Sequence, residues 1–275
     1  MTSRFLGHTL GEALRTSPLA PLETRILLCH TLDITRVQLI TQSERVLDAA
    51  EAARLDALVA RREAGEPVAY LIGMREFFGL PFQVTPDVLI PRPETELLVE
   101  LALERLPPAG HLLDMGTGSG AIAVTVAHTR PDASVAALDA SEPALQVARA
   151  NAIACGVTVD FRLSDWYAGL DATARYDVIA SNPPYIMEGD HHLSEGDLRF
   201  EPIDALTDHA DGLSDLRTLV KGAQAHLKPG GWLLMEHGYD QSAAVRALLT
   251  NQGFSDVQSW ADLAGIERVT GGRVA

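Results

Sequence analysis

Residues 111–129 read HLLDMGTGSGAIAVTVAHT. The first five form a short apolar run that predicts a buried strand. The closing GAIAVTVAHT predicts a helix. Between them Gly116, Gly118 and Gly120 alternate with Thr117 and Ser119. Glycine lets a chain turn sharply and lets a ligand approach with no Cβ in the way. The helix that follows presents unpaired N–H groups and the positive end of its dipole. Strand, glycine loop and helix in that order open a βαβ unit and place a binding loop at the strand's carboxyl end.

Outward from this stretch the same rhythm repeats. SVAALD (134–139) is a strand, EPALQVARANAIAC (142–155) a helix, and VTVDFRL (157–163) and YDVIASN (176–182) are strands. LSDLRTLVKGAQAHL, GGWLLMEHG and QSAAVRALLTNQG continue as helix, strand and helix, and FSDVQSW and GIERVTGG close as strands. Alternating segments with short links imply an α/β fold with a mostly parallel, doubly wound sheet. Upstream, residues 1 to 64 read as helices, rich in Ala, Leu, Glu and Arg, and end at Gly65 and Pro67. Residues 67–96 change character. Phe77, Phe78, Phe82, Val84, Val88 and Ile90 are strand-like around Gly79-Leu80-Pro81, which predicts a connecting hairpin. IPRPETELLVELALERL then opens a helix with acidic residues in its first turn. The expected division is residues 1–72 helical, 73–92 hairpin and 93–275 the α/β domain.

The chain has 275 residues, of which 47% are hydrophobic, enough to bury a sizeable core. Its formal net charge of −15 argues against a nucleic-acid duplex as the main partner, which needs clustered Lys and Arg. Cys29 and Cys155 make neither a disulfide framework nor a zinc site, and no metal is expected. No apolar run reaches membrane-spanning length and the first residues lack a signal core, so a soluble cytoplasmic protein is expected.

Three further features carry chemistry. Asp139 ends the second strand of the α/β unit about 20 residues past the glycines, where an acid can accept both hydroxyls of a ribose. Ser141 is the better cap for the next helix. Asp165 and Trp166 follow the third strand, where a carboxylate can accept an adenine amino group and an indole can cover the ring. Gly116, Gly118 and Ala121 also satisfy the dinucleotide pattern, so loop and acid together predict a nucleoside cofactor without choosing nicotinamide or S-adenosylmethionine. The choice comes from Ser181-Asn182-Pro183-Pro184-Tyr185. Two prolines past a strand end cannot serve the sheet, and they stiffen the backbone. The Asn182 side-chain oxygen and the Pro183 carbonyl can each accept one N–H of an acceptor NH₂, and Tyr185 can stack on a flat acceptor group. Holding both hydrogens aims the nitrogen lone pair at a methyl donor. A nicotinamide enzyme has no evident use for such a clamp.

EPVAYLIGMREFFGL, LIPRPETELLVE, LLDMGTGSGAIA, SNPPYI, HLSEGDLRFEP, GGWLLMEHG and DLAGIERVT together resemble the release factor glutamine methyltransferases, nearly end to end. Met115 stands where leucine is expected. The resemblance implies a helical N-terminal domain that helps bind the release factor, a hairpin, and a seven-stranded, Rossmann-like methyltransferase domain. It implies S-adenosylmethionine as methyl donor, leaving S-adenosylhomocysteine. The substrate would be the glutamine of the Gly-Gly-Gln motif, methylated at N5, which modulates translation termination. By position, Gly116, Thr117, Gly118, Ser119 and Gly120 would cradle the methionine end. Asp139 would hold the ribose, and Asp165 and Trp166 the adenine end. Asn182, Pro183, Pro184 and Tyr185 would receive the glutamine, with Asn182 also bordering the cofactor.

Arg92, Glu94 and Thr95 read either as the cofactor entrance or as a helix start. Arg199 is expected to pair with Glu201 or another acid, and Glu236 to make a structural hydrogen bond. A monomer is expected. One rival is an N6-adenine or other nucleic-acid base methyltransferase, since an exocyclic NH₂ fits the same clamp; it would call for a basic channel or a target-reading domain, and the net charge of −15 speaks against one. The other is a nonenzymatic partner of the translation machinery, against which the intact clamp and glycine loop argue.

Overall fold

The computed structural model describes residues 3–275. They fall into two units, the first ending at Met74 and the second running from Arg75 to Ala275. The first unit holds α1 (Leu10–Thr16), α2 (Pro21–Leu32), α3 (Arg36–Thr41), α4 (Ala49–Glu63) and α5 (Val68–Ile72). Three of these helices begin with a reciprocal cap, in which Thr9, Thr35 and Asp48 pair with Glu12, Gln38 and Glu51. Phe5, Leu10, Leu27, Leu28, Leu39 and Leu55 meet in its core. α5 lies within the stretch expected to be helical, and Gly73, left-handed at φ +71°, ends it.

Strands β1 (Met74–Phe77) and β2 (Leu80–Gln83) form a hairpin. Its turn is Phe78-Gly79, both at positive φ, the geometry that matches strand twist in a two-residue loop. Leu80 and Pro81, expected in the turn, lie in β2 instead. Pairing ends at Gln83, and Val84, Val88 and Ile90 are buried without joining a strand. Their burial on a core accounts for a strand-like pattern in irregular backbone.

The second unit is a seven-stranded sheet in the order β5-β4-β3-β6-β7-β9-β8. Its strands are β3 (His111–Met115), β4 (Ser134–Asp139), β5 (Asp160–Leu163), β6 (Tyr176–Ser181), β7 (Leu227–Glu236), β8 (Ser255–Ala261) and β9 (Glu267–Arg273). The first five are parallel, and β9 runs antiparallel to both β7 and β8. Alternate residues serve opposite faces, as the pleat requires. Leu112, Ala137, Val178 and Leu234 join α6 (Glu96–Arg105), α7 (Ala121–Thr129) and α8 (Glu142–Ala154). Leu113, Leu138, Ile179, Leu233 and Met235 join α9 (Ser214–Ala223) and α10 (Ser242–Asn251). Helices cover both faces, so the sheet is doubly wound. β7 starts at Leu227, three residues before the expected Gly230, because a register shift against β6 accommodates Lys228 to Gly231. Among the described residues, no helix is long and apolar enough to cross a membrane.

Candidate active site

The strand order reverses direction at β3, with β4 on one side and β6 on the other. In open α/β sheets a ligand crevice forms at the carboxyl ends of strands flanking such a point. A cavity of about 360 Å³ lies there, lined among others by Gly116, Gly118, Asp139, Asp165, Trp166, Asn182 and Pro184.

Backbone geometry builds the β3 and β4 side. Gly116, Gly118 and Gly120 sit at φ +73°, +54° and +84°, a region that side-chain-bearing residues rarely adopt. The N–H groups of Gly116 and Thr117 both donate to the Leu138 carbonyl at 2.9 Å, which folds the loop over the end of β4. Gly118 N donates to Asp139 Oδ2 at 2.8 Å and Ser141 N to Asp139 Oδ1 at 2.9 Å. Ser141 is also the cap of α8, as its sequence position indicated. Burial raises the Asp139 pKa, opposed by hydrogen bonds from Ser141 and Gly118. Thr117 donates its hydroxyl to Asp114 Oδ2 at 2.6 Å, and Ala123 N donates to the same oxygen at 3.2 Å. Buried Asn151 spans two segments, donating to the carbonyls of Ser119 and Gln83 and accepting from Gln83 N. A Cβ on Gly120 would sit 3.1 Å from both Ala148 Cβ and Val124 Cγ2, so a side chain there would force its neighbours to shift. Thr117, Ser119 and Gly120 therefore shape the loop, while Gly116 and Gly118 face the cavity.

Trp166 stands at φ +44°, a strained position for a large residue. Ser164 holds it there: its hydroxyl donates to the Trp166 carbonyl at 2.7 Å and accepts from Gly169 N. The indole edge lies 3.8 Å from where a Gly116 Cβ would be, an ordinary contact distance, so the ring packs beside the glycine loop. Burial raises the pKa of Asp215, on α9, and the Trp166 side chain opposes that shift.

The β6 side is built from side chains. Ser181 Oγ donates to the Met115 carbonyl at 2.7 Å, locking the two strand ends together. Asn182 Nδ2 donates to Thr95 Oγ1 at 3.3 Å, and Tyr185 OH donates to Glu236 Oε1 at 3.4 Å. Glu236 is buried, and burial raises its pKa to about 7 against hydrogen bonding from Thr95 and the charge of Arg268. Gln241 Nε2 donates to the carbonyls of Tyr185 and Gly212, tying the motif to the segment that follows. Pro183 is buried, and Pro184 meets the cavity.

Pro202, Asp204 and Ala205, from the long β6–α9 connection, complete the cavity wall. Glu201 anchors that connection. Its buried carboxylate accepts from Ile90 N at 3.0 Å and pairs with Arg92. The sequence offered Arg199 as a partner for Glu201 or another acid; Glu201 pairs with Arg92, and the Arg199 guanidinium lies 5.0 Å from the centre of the Phe200 ring. Arg92 and Thr95, read as cofactor entrance or helix start, thus serve a tether and the amide of Asn182. His191 and His192 are exposed beside Asp190. Sequence reasoning passed over Asp114, Asn151 and Asp215; only Asp114, inside the glycine stretch, stood in a position to be noticed.

The chain matches the family described as PrmC N-terminal domain over residues 8–73 and the Methyltransferase small domain over residues 93–196. It is 59% identical over 274 residues to the release factor glutamine methyltransferase of Burkholderia pseudomallei, covering 97% of this chain and 96% of that one. It is 53% identical over 266 residues to the enzyme of the same name from Neisseria gonorrhoeae, covering 96% and 97%. The solved T. thermophilus 16S rRNA methyltransferase, in complex with AdoMet and guanosine, shares its fold at a TM-score of 0.56 and 22% identity, over 74% of this chain and 50% of that one. With more than half its residues shared along nearly its whole length, the chain belongs to the release factor glutamine methyltransferases.

Proposed function

We propose that this protein methylates the side-chain amide nitrogen of the glutamine in the Gly-Gly-Gln motif of peptide chain release factors, using S-adenosylmethionine. One observation supports the reading above the others: Asn182 and Pro184 share a cavity wall with Gly116, Asp139 and Trp166. Clamp and nucleoside site are therefore neighbours. The cavity fits the cofactor in volume, in the glycine loop and indole that line it, and in the half-buried acid available to a ribose.

When bound, S-adenosylmethionine supplies a methyl group already activated on a sulfonium. Asp139 accepts from the ribose hydroxyls, Asp165 accepts from the adenine amino group, and Trp166 covers the ring. Gly116 and Gly118 admit the methionine end, and Thr117, Ser119 and Gly120 hold the loop that does so. The chain's remaining task is to align the acceptor and keep water out, which can be worth ~7–11 kcal/mol in favourable cases. A carboxamide nitrogen is a poor nucleophile because its lone pair is delocalised. Asn182 Oδ1 and the Pro183 carbonyl each accept one of its hydrogens, favouring a pyramidal nitrogen that faces the cofactor. Tyr185 stacks on the flat amide. As the nitrogen is alkylated it becomes far more acidic, so its surplus proton passes to solvent as the product is released, without a dedicated base, and the donor is left as S-adenosylhomocysteine. The helical first unit is read as the part that helps engage the release factor.

Incubation with methyl-labelled S-adenosylmethionine and either a purified release factor or DNA tests this. The expected result is label on the glutamine side-chain nitrogen and none on DNA. Asn182→Ala should lower transfer at least ~10²-fold while cofactor binding persists. Label on DNA alone, or full transfer by Asn182→Ala, would overturn the assignment.

A further inference from the structure

The backbone leaving the clamp is held by a side chain to which the reaction as described gives no role. The rings of Pro183 and Pro184 fix two torsions of the clamp, and Tyr185 is the first residue after them that is free to swivel. Gln241 braces the chain at that joint. Its Nε2 donates to the Tyr185 carbonyl at 3.0 Å and to the Gly212 carbonyl at 3.1 Å, while its Oε1 accepts from Gly238 N at 2.8 Å. A primary carboxamide has two hydrogens to give. Both are committed here, and the Gly238 N–H fixes which end of the amide faces the two carbonyls.

Two further observations mark this as a built contact. Gln241 is the N-cap of α10, where a side chain ordinarily accepts from the first turn of its own helix. The Gln241 side chain makes no such bond and reaches the clamp instead. Gly212, at φ +76°, comes so close that a Cβ on it would lie 2.6 Å from the Tyr185 carbonyl oxygen and 2.9 Å from Gln241 Nε2. Tyr185 and Gly212 are the two ends of a loop, residues 186–211. Near its base the outgoing and returning chains also bond directly, Ile186 N to the Leu206 carbonyl and Glu188 N to the Ala210 carbonyl, each at 3.0 Å. Asp208 shapes the return, accepting from Gly212 N and Ser214 N. The same loop carries Pro202, Asp204 and Ala205 to the cavity wall.

We propose that Gln241 is a positioning residue: its NH₂ pins the peptide after Tyr185 to the returning end of the 186–211 loop, so that the clamp and the cavity wall carried by that loop keep one spacing. The inference rests on the reading of Asn182 to Tyr185 as the glutamine clamp, but the pin itself can be observed without turnover.

Two substitutions in the full chain test it. Gln241→Glu is nearly isosteric; it keeps the acceptor for Gly238 and loses both donors. Gln241→Met loses all three bonds and adds no charge. Both should lower kcat by ~10- to 100-fold, because a slightly misplaced acceptor loses rate, with a much smaller change in KM for the release factor. S-adenosylmethionine affinity should stay near wild type, since the glycine loop and Asp139 are held from β4 and Glu201 still ties the covering segment to Arg92. Hydrogen exchange of the ligand-free proteins gives the second readout. The Ile186 and Glu188 amides should exchange faster in both variants, while the Gly118 amide, bonded to Asp139, keeps its wild-type rate. A residue that merely stabilised the fold would instead quicken exchange across the sheet and weaken cofactor binding in step with rate. Wild-type kcat in either variant, unchanged exchange at Ile186 and Glu188, or a loss of cofactor affinity equal to the loss of rate overturns the proposal. If Gln241→Glu does not fold, Gln241→Met decides on both readouts. Should wild type fail to methylate a release factor, the functional reading falls, while exchange at Ile186 and Glu188 still decides whether Gln241 holds the loop.

Discussion

On the β3 and β4 side of the cavity the chain is held by its own backbone; on the β6 and β7 side it is held by side chains from distant segments. Gly116 and Thr117 donate main-chain N–H groups to Leu138, and Gly118 donates one to Asp139. Asn182 rests on Thr95, Tyr185 on Glu236 and Gln241, and the covering segment on Glu201 and Arg92. The contrast suits two different ligands. A cofactor of fixed shape is met by a rigid loop whose conformation only glycine allows. A glutamine delivered on a protein must be oriented atom by atom, and hydrogen-bond polarity does that better than shape.

The sharpest way to break this contrast is to give the glycine loop a side chain. At Gly120 a β-branched residue meets a left-handed backbone, worth ~1–2 kcal/mol, and crowding against Ala148 and Val124, worth ~1–3 kcal/mol. Gly120→Val should therefore destabilise the fold by about 3 kcal/mol in denaturant titration and abolish cofactor binding. A variant that binds cofactor normally would show that the loop is not held by its backbone.

On the other side the largest effect should come from the tether. Removing one member of a buried ion pair commonly costs about 3–5 kcal/mol, and the partial exposure of Arg92 reduces this to about 2 kcal/mol for Glu201→Gln. The loss should be local. Hydrogen exchange in residues 186–213 should accelerate, while amides of β3 and β4 keep wild-type protection. Acceleration across the whole sheet would mean that the two sides are not held independently.

The same contrast explains what could be read from sequence. Backbone devices are local, so the glycine loop after β3, Asp139 at the end of β4 and the prolines after β6 announce themselves in a few consecutive residues. Side-chain devices join remote positions. Thr95 lies 87 residues from Asn182, Glu201 lies 109 from Arg92, and Asn151 lies 68 from Gln83. Nothing local in Glu201 separates Arg92 from the nearer Arg199 as its partner. The hairpin was likewise misjudged at its ends, because Val88 and Ile90 are buried in irregular backbone whose pattern resembles a strand.

Asp114 joins the two kinds of support, since a side chain here serves the backbone loop. Burial pushes its pKa from an ordinary 3.8 to about 7, against hydrogen bonds from Thr117 and Ala123. Between those values the folded chain keeps a proton that the unfolded chain has released. This contribution to stability is full below pH ~4 and is lost as pH rises to ~7, with a slope of at most ~1.4 kcal/mol per pH unit for one proton. Asp114→Asn cannot titrate. In urea titrations of the ligand-free chain, wild-type stability relative to the variant should fall across that window and level off above it. A difference that does not change with pH would place a charged Asp114 in the fold throughout.

The smallest expected effect grades the clamp's own supports. Tyr185 reaches Glu236 across 3.4 Å, a long bond, while its ring is the part proposed to stack on the substrate amide. Tyr185→Phe keeps the ring and deletes only that hydroxyl, so it should remove ~0.5–1 kcal/mol and slow methyl transfer two- to fivefold or so. Tyr185→Ala removes the ring as well and should slow it considerably more. If Tyr185→Phe instead slowed transfer as much as Tyr185→Ala, the bond from the hydroxyl to Glu236 rather than the ring would hold the acceptor, and the buried acid would be part of the clamp.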